Sequence, residues 1–264
     1  MNETNIPPQL PPQLHPPPIA PPPRLPGDDP AERVPITGIA SAVESILRQP
    51  RRVMFQLRQP GGGRIIITML FVAMLCALIY GVVVGTFSGG TQYWAAPVKI
   101  AGGLLIASMI CLPSLYIFAC LSGSQARLVE VFGLVAGLLM LMTTLLIGFA
   151  PVAWLFSEST NSVVWMGVLH LLFWLIATAF GLRFLGAGFA QTQAKSKLGL
   201  RVWAVIFVLV ALQMTTALRP IVGTTDTLLP TEKKFFIRHW FDCLDKGEPS
   251  RRSSLYRQRT RASD

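Results

Sequence analysis

Within the run VVWMGVLHLLFWLIATAF, Val163 to Phe180, one side chain can exchange a proton or hold a ligand: His170. The other residues are apolar or small, apart from Thr178, whose hydroxyl a helix can satisfy on its own backbone. Imidazole titrates near neutral pH and ligates metals, so a histidine in such a run is either transport chemistry or a packing detail. On a helical wheel His170 shares a face with Val163, Met166, Gly167, Trp174, Ala177 and Gly181. The opposite face carries Trp165, Val168, Leu172, Leu175 and Ala179. The small-residue face is the one expected to pack on other helices. His170 lies seven residues from the end of its run, about 10 Å at the helical rise. Gln213 lies five residues from the corresponding end of the next run, about 8 Å by the same rise. A neutral His170 hydrogen-bonded to Gln213 is the expected intramembrane polar pair, because a buried imidazolium would be costly. A ligand or proton role for the pair is the alternative.

Little else in the chain carries chemistry. The apolar runs contain no Asp or Glu in their interiors, which weighs against an ion-coupled carrier. Glu130 sits at a run edge close to Arg127. There is no HExxH, GxSxG or Walker-type loop. The four cysteines, Cys76, Cys111, Cys120 and Cys243, form no CxxC pair and read as small hydrophobes. No catalytic residue, cofactor or metal site is expected, and the chain does not read as an enzyme.

The elements that position these residues are transmembrane. The chain has 264 residues, 52 % hydrophobic and 14 % charged, with a mean hydropathy of +0.50. Soluble domains are about a quarter charged. Five apolar runs, at 65–85, 98–121, 129–156, 163–185 and 202–218, approach the roughly 20 residues that cross a bilayer. The expected fold is an all-α polytopic helix bundle, with consecutive helices as antiparallel neighbours. The charges behind the net +10 lie almost wholly outside the runs. Up to the fifth run, 12 Lys/Arg fall on the N-terminal side and one on the other. The positive-inside rule therefore places the N-terminus in the cytoplasm. Trp94, Trp154 and Trp165 cluster on the opposite side as an aromatic belt. The C-terminal tail, with ten Lys/Arg, conflicts with an odd number of crossings. The basic clusters are read as contacts to anionic headgroups rather than nucleic acid, since no basic folded domain remains outside the runs.

Residues 1–35 form a proline-rich tail, expected to be disordered, with twelve of the 21 prolines in the first 30 positions. It is a spacer or a docking tract for a protein partner. Residues 36–64 form an amphipathic and basic juxtamembrane segment. Ile36, Ile39, Val43, Ile46 and Leu47 share a helical face, Ser41 and Glu44 have capping-box spacing, and Pro50 ends the helix. Arg51, Arg52, Arg58 and Arg64 then surround Val53, Met54, Phe55 and Leu57, an arrangement suited to headgroup contact. Two pairs of glycines four apart, Gly81 with Gly85 and Gly133 with Gly137, allow close helix packing, within the bundle or between copies in a homo-oligomer. In the tail 219–264, residues 231–244 form a second amphipathic segment.

The stretch ILRQPRRVMF (46–55), a hydrophobic pair followed by Pro50 and Phe55 shortly before five spans, resembles the YIP-domain membrane proteins and their bacterial relatives. The resemblance covers roughly residues 40–220 and is mainly topological. It implies a cytoplasmic, proline-rich N-terminus and a five-span bundle. Eukaryotic members act in vesicle trafficking with small GTPases. The functional expectation is a non-catalytic membrane scaffold, adaptor or trafficking-type factor. The alternative is a small-solute channel or uncoupled transporter subunit using His170 and Gln213.

Overall fold

The computed structural model describes residues 27–88, 92–160, 163–192 and 198–217. The described residues form helices and no strand: α1 (Pro30–Arg33), α2 (Ile39–Arg48), α3 (Pro50–Leu57), α4 (Gly62–Ser88), α5 (Gln92–Leu121), α6 (Leu128–Ser159), α7 (Val163–Ala190) and α8 (Leu198–Ala217). Helices α4 to α7 have 27, 30, 32 and 28 residues and are apolar around their circumference. At about 1.5 Å per residue they reach roughly 40–48 Å, beyond the ~30 Å of a hydrocarbon core. Among the described residues, these four are long and apolar enough to cross a membrane, while the apolar stretch of α8, Leu198–Gln213, is shorter. The chain is therefore an all-α, multi-pass integral membrane protein. The amphipathic segment expected at 231–244 lies outside the described residues.

The helices do not all pack in chain order. α4 lies between α5 and α6, α7 packs on α6, and α8 packs on α5, so the spatial order is α8–α5–α4–α6–α7. The expectation of consecutive neighbours fails for α7 and α8, which barely touch, and is weak for α5 and α6. Gly81 explains part of this arrangement. A Cβ built there would lie 2.4 Å from the Cα of Pro97, so only glycine lets the α4 and α5 backbones meet this closely. α6 is the central helix, with Leu138, Met140, Met142 and Leu146 at most 1 % exposed. Trp94, Trp154 and Trp165 are exposed near the far ends of α5, α6 and α7, as a belt would require.

At the other end the chain folds over the bundle. α2 begins one residue after Gly38, whose N–H donates to Ser41 Oγ at 3.0 Å, so the helix starts ahead of the expected Ser41–Glu44 capping box. Pro50 breaks the helix as expected and then starts α3, where its missing N–H costs nothing. The apolar faces of both helices meet the bundle: Ile46, Val53, Met54 and Leu57 are buried in the main core with α4, α6 and α7 residues. Residues 27–35, expected within the disordered tail, instead form a strap across α3. The carbonyls of Val34 and Pro35 and the N–H of Ile36 bond to Arg52 and Gln56.

Candidate functional site

His170 sits on the packed face of α7, as its wheel position requires. Met166 and Ala177 on that face are fully buried, and Gly181 abuts Leu138 of α6. Trp165, Leu172 and Leu175 on the opposite face are exposed. Thr178 does not turn back onto its own helix: its hydroxyl donates to Met142 Sδ of α6 at 3.3 Å.

The hydrogen-bond partner of His170 is Tyr80 of α4. The phenol oxygen lies 2.7 Å from Nδ1, and the rings meet edge-on at 5.7 Å and 85°. Gln213 is not the partner. It is exposed on α8, and that helix packs on α5. Antiparallel succession does not make α7 and α8 neighbours. Tyr80 lies eight residues before the end of α4, about 12 Å by the helical rise and so level with His170. That match in depth, together with the need of a buried phenol for an acceptor, is the sequence signal that makes Tyr80 a candidate alongside Gln213.

The pair lies in an apolar cluster with Val84, Met142, Leu146, Ala150, Phe173 and Ala177. Phe173 stacks on Phe149 with centroids 4.7 Å apart. Tyr80 is 4 % exposed. Nε2 of His170 is buried and has no partner among the described residues. This bears on the tautomer. If the phenol donates to Nδ1, one donor, Nε2–H, remains unsatisfied. If Nδ1–H donates instead, both the phenol hydrogen and the Nε2 lone pair are left without partners. The first arrangement is favoured, since each unmet buried group costs about 1–3 kcal/mol. His170 is thus a neutral acceptor pinning α7 to α4 around α6. No group of three His, Cys, Asp or Glu residues able to hold a metal occurs among the described residues.

The glycine pairs pack within the chain. Gly81 faces Pro97 and Gly85 is buried. A Cβ at Gly133 would lie 2.6 Å from Leu57 of α3, and one at Gly137 would lie 2.5 Å from Phe184 of α7 and 3.5 Å from Ile46 of α2. The α6 glycines therefore form the seat of the N-terminal hairpin. Three of the four arginines expected at lipid headgroups bond to protein. Arg51 pairs with Glu32 at 3.7 Å. Arg52 bonds to the strap carbonyls, and Arg58 Nη2 donates to the Gln191 carbonyl at 3.0 Å, just beyond the C-terminus of α7. Arg64 is exposed. The hairpin turns Arg51 and Arg52 toward the strap and Arg58 toward the end of α7.

Two further anchors escape sequence reasoning. Trp203 of α8 is fully buried, and its indole donates to the Cys111 carbonyl of α5 at 2.8 Å. Ser124 Oγ donates to Thr192 Oγ1 at 2.7 Å, tying the α5–α6 turn to the end of α7. No family model, curated protein or solved structure matches the chain.

Proposed function

We propose that this protein is a non-catalytic membrane scaffold or adaptor, with the proline-rich N-terminal tract on the cytoplasmic side serving as its protein-docking element. The observation that carries the reading is the hairpin. α2 and α3 are seated in the α6 glycine notches, and the strap fixes where the tail leaves the bundle, next to Phe55. A support that fixes one end of a ligand tract favours capture by lowering the ordering cost. The buried, apolar α6 supports the same reading, as does the topological resemblance to YIP-domain proteins. Crosslinking in native membranes, with the full chain and with a chain lacking residues 1–26, tests it. Partner adducts should depend on the tail, whereas adducts that survive its removal would overturn the docking role. Thiol labelling of Cys243 with an impermeant reagent reads the side of the C-terminal tail.

The second reading, a solute-conducting subunit, is favoured by the unpartnered Nε2 of His170. Reconstituted vesicles distinguish the two. A scaffold gives no solute flux, and a conducting subunit gives flux that His170→Leu abolishes.

A further inference from the structure

The strap and the segment around α3 carry opposite charge. Residues 27–36 hold Asp28, Asp29 and Glu32 against a single Arg33, a net charge of −2. Residues 48–64 hold five arginines and no acid, a net charge of +5. The strap is held by polar contacts. Glu32 Oε1 faces Arg51 Nε, and Glu32 Oε2 accepts the Gly27 N–H at 2.6 Å. Arg52 Nε and Nη2 donate to the carbonyls of Val34 and Pro35 at 2.8 and 3.1 Å. Gln56 Oε1 accepts the Ile36 N–H at 2.9 Å, and its amide nitrogen donates to the Val34 carbonyl. Apolar burial supports these bonds chiefly at Ile36, which packs against the main core; α1 has no buried residue, and Val34 is 51 % exposed. α3, by contrast, is anchored by buried Val53, Met54 and Leu57. Segments with few buried contacts open locally well before the whole protein unfolds.

We propose that the strap is an acidic internal ligand occupying a binding surface for anionic phospholipid on α3. This inference rests on the multi-pass reading, and where the strap is released residues 1–26 lose the fixed exit on which their docking role was argued. Four residues separate the end of α3 from the start of α4. Since the long helices overrun a ~30 Å core, α3 lies at headgroup level. A lipid phosphate offers guanidinium groups charged, bidentate acceptors, and these outcompete the neutral carbonyls that Arg52 holds in the strap. An anionic surface also attracts the five arginines while repelling the strap, so both charges favour exchange. α3 stays seated on Gly133, and only the strap leaves.

The test places the full chain in nanodiscs of phosphatidylcholine, or of phosphatidylcholine mixed with phosphatidylserine, and follows backbone amide exchange. Exchange across residues 28–38 should be about tenfold faster in the anionic bilayer, while 51–57 is unchanged and high salt reverses the effect. In the double variant Arg51→Gln/Arg52→Gln the strap should exchange fast in both bilayers, with no dependence on lipid. Equal strap exchange in the two bilayers of the unaltered chain, or a lipid dependence that survives the double variant, overturns the proposal. The same data separate the underlying reading: loss of protection in α4 to α7 would refute the multi-pass assignment rather than the strap.

Discussion

Removing the Tyr80 hydroxyl isolates the pin between α4 and α7. In Tyr80→Phe the ring still fills its site, which is 4 % exposed, but His170 loses the bond at Nδ1. With Nε2 already unpartnered, both ring nitrogens are then unmet in apolar surroundings. Stranding a buried polar group costs about 1–3 kcal/mol in soluble cores. Side-chain hydrogen bonds inside membranes are worth less, about 0.6 kcal/mol on average and up to roughly 1.7. The expected loss is therefore about 1 kcal/mol, or roughly 2–4 °C in unfolding midpoint for a chain of this size. His170→Leu strands the phenol and should cost a similar amount. Tyr80→Phe/His170→Leu removes both partners and should fall well short of the sum, because two apolar groups in contact leave nothing unsatisfied. Thermal unfolding of the four proteins in one detergent, read as a double-mutant cycle, measures the coupling. Additive losses would refute the Tyr80–His170 bond, and no loss in Tyr80→Phe would refute the burial of the pair.

The other predictions concern the helix contacts. Gly81→Ala puts a methyl about 1 Å inside normal contact with the Pro97 backbone, so it should cost about 1–3 kcal/mol, whereas Gly102→Ala, where a Cβ meets nothing within 4 Å, should be neutral or stabilising; equal midpoints for the two would refute the α4–α5 approach. Trp203→Phe removes the bond to the Cys111 carbonyl and should raise proteolysis of α8 while leaving the α4–α7 coupling intact; a changed coupling would contradict the placement of α8 on α5 alone. Arg58→Gln removes a cation from the C-terminal end of α7, a contribution of about 0.3–1 kcal/mol, and amide exchange just after Phe189 should rise accordingly. Exchange that stays the same there would contradict the Arg58–Gln191 contact.

The sequence carried the secondary structure of the membrane region because its signal there is local. Uninterrupted apolar runs announce α4 to α7, Pro50 marks the break between α2 and α3, and the α7 wheel separates buried Met166 and Ala177 from exposed Trp165 and Leu172. The partner of His170 was not legible in the same way. Depth along a helix follows from counting residues and gives three candidates near one level: Tyr80, His170 and Gln213. Which two meet depends on lateral order, and lateral order is set by surface detail such as the Gly81–Pro97 approach and the Trp203–Cys111 bond. Succession along the chain is a weak guide to that order once every connection is short and every helix apolar.

The N-terminal strap was hidden for a different reason. Periodicity reports side chains that alternate between core and solvent, but the strap is gripped through its backbone. Gln56 and Arg52, one helical turn apart on α3, read two carbonyls and one N–H of an extended Val-Pro-Ile segment. That mode of binding leaves no periodic trace in the bound segment, and the surrounding prolines make the region look like unstructured tail. Charge was the legible clue. Arginines at 51 and 52 in a segment without acids call for an anionic partner, and a bilayer supplies one. So does Glu32, nineteen residues upstream of Arg51. In the proposed exchange both partners satisfy the same guanidinium groups, so the intramolecular contact and the headgroup contact expected from the sequence would compete for one surface.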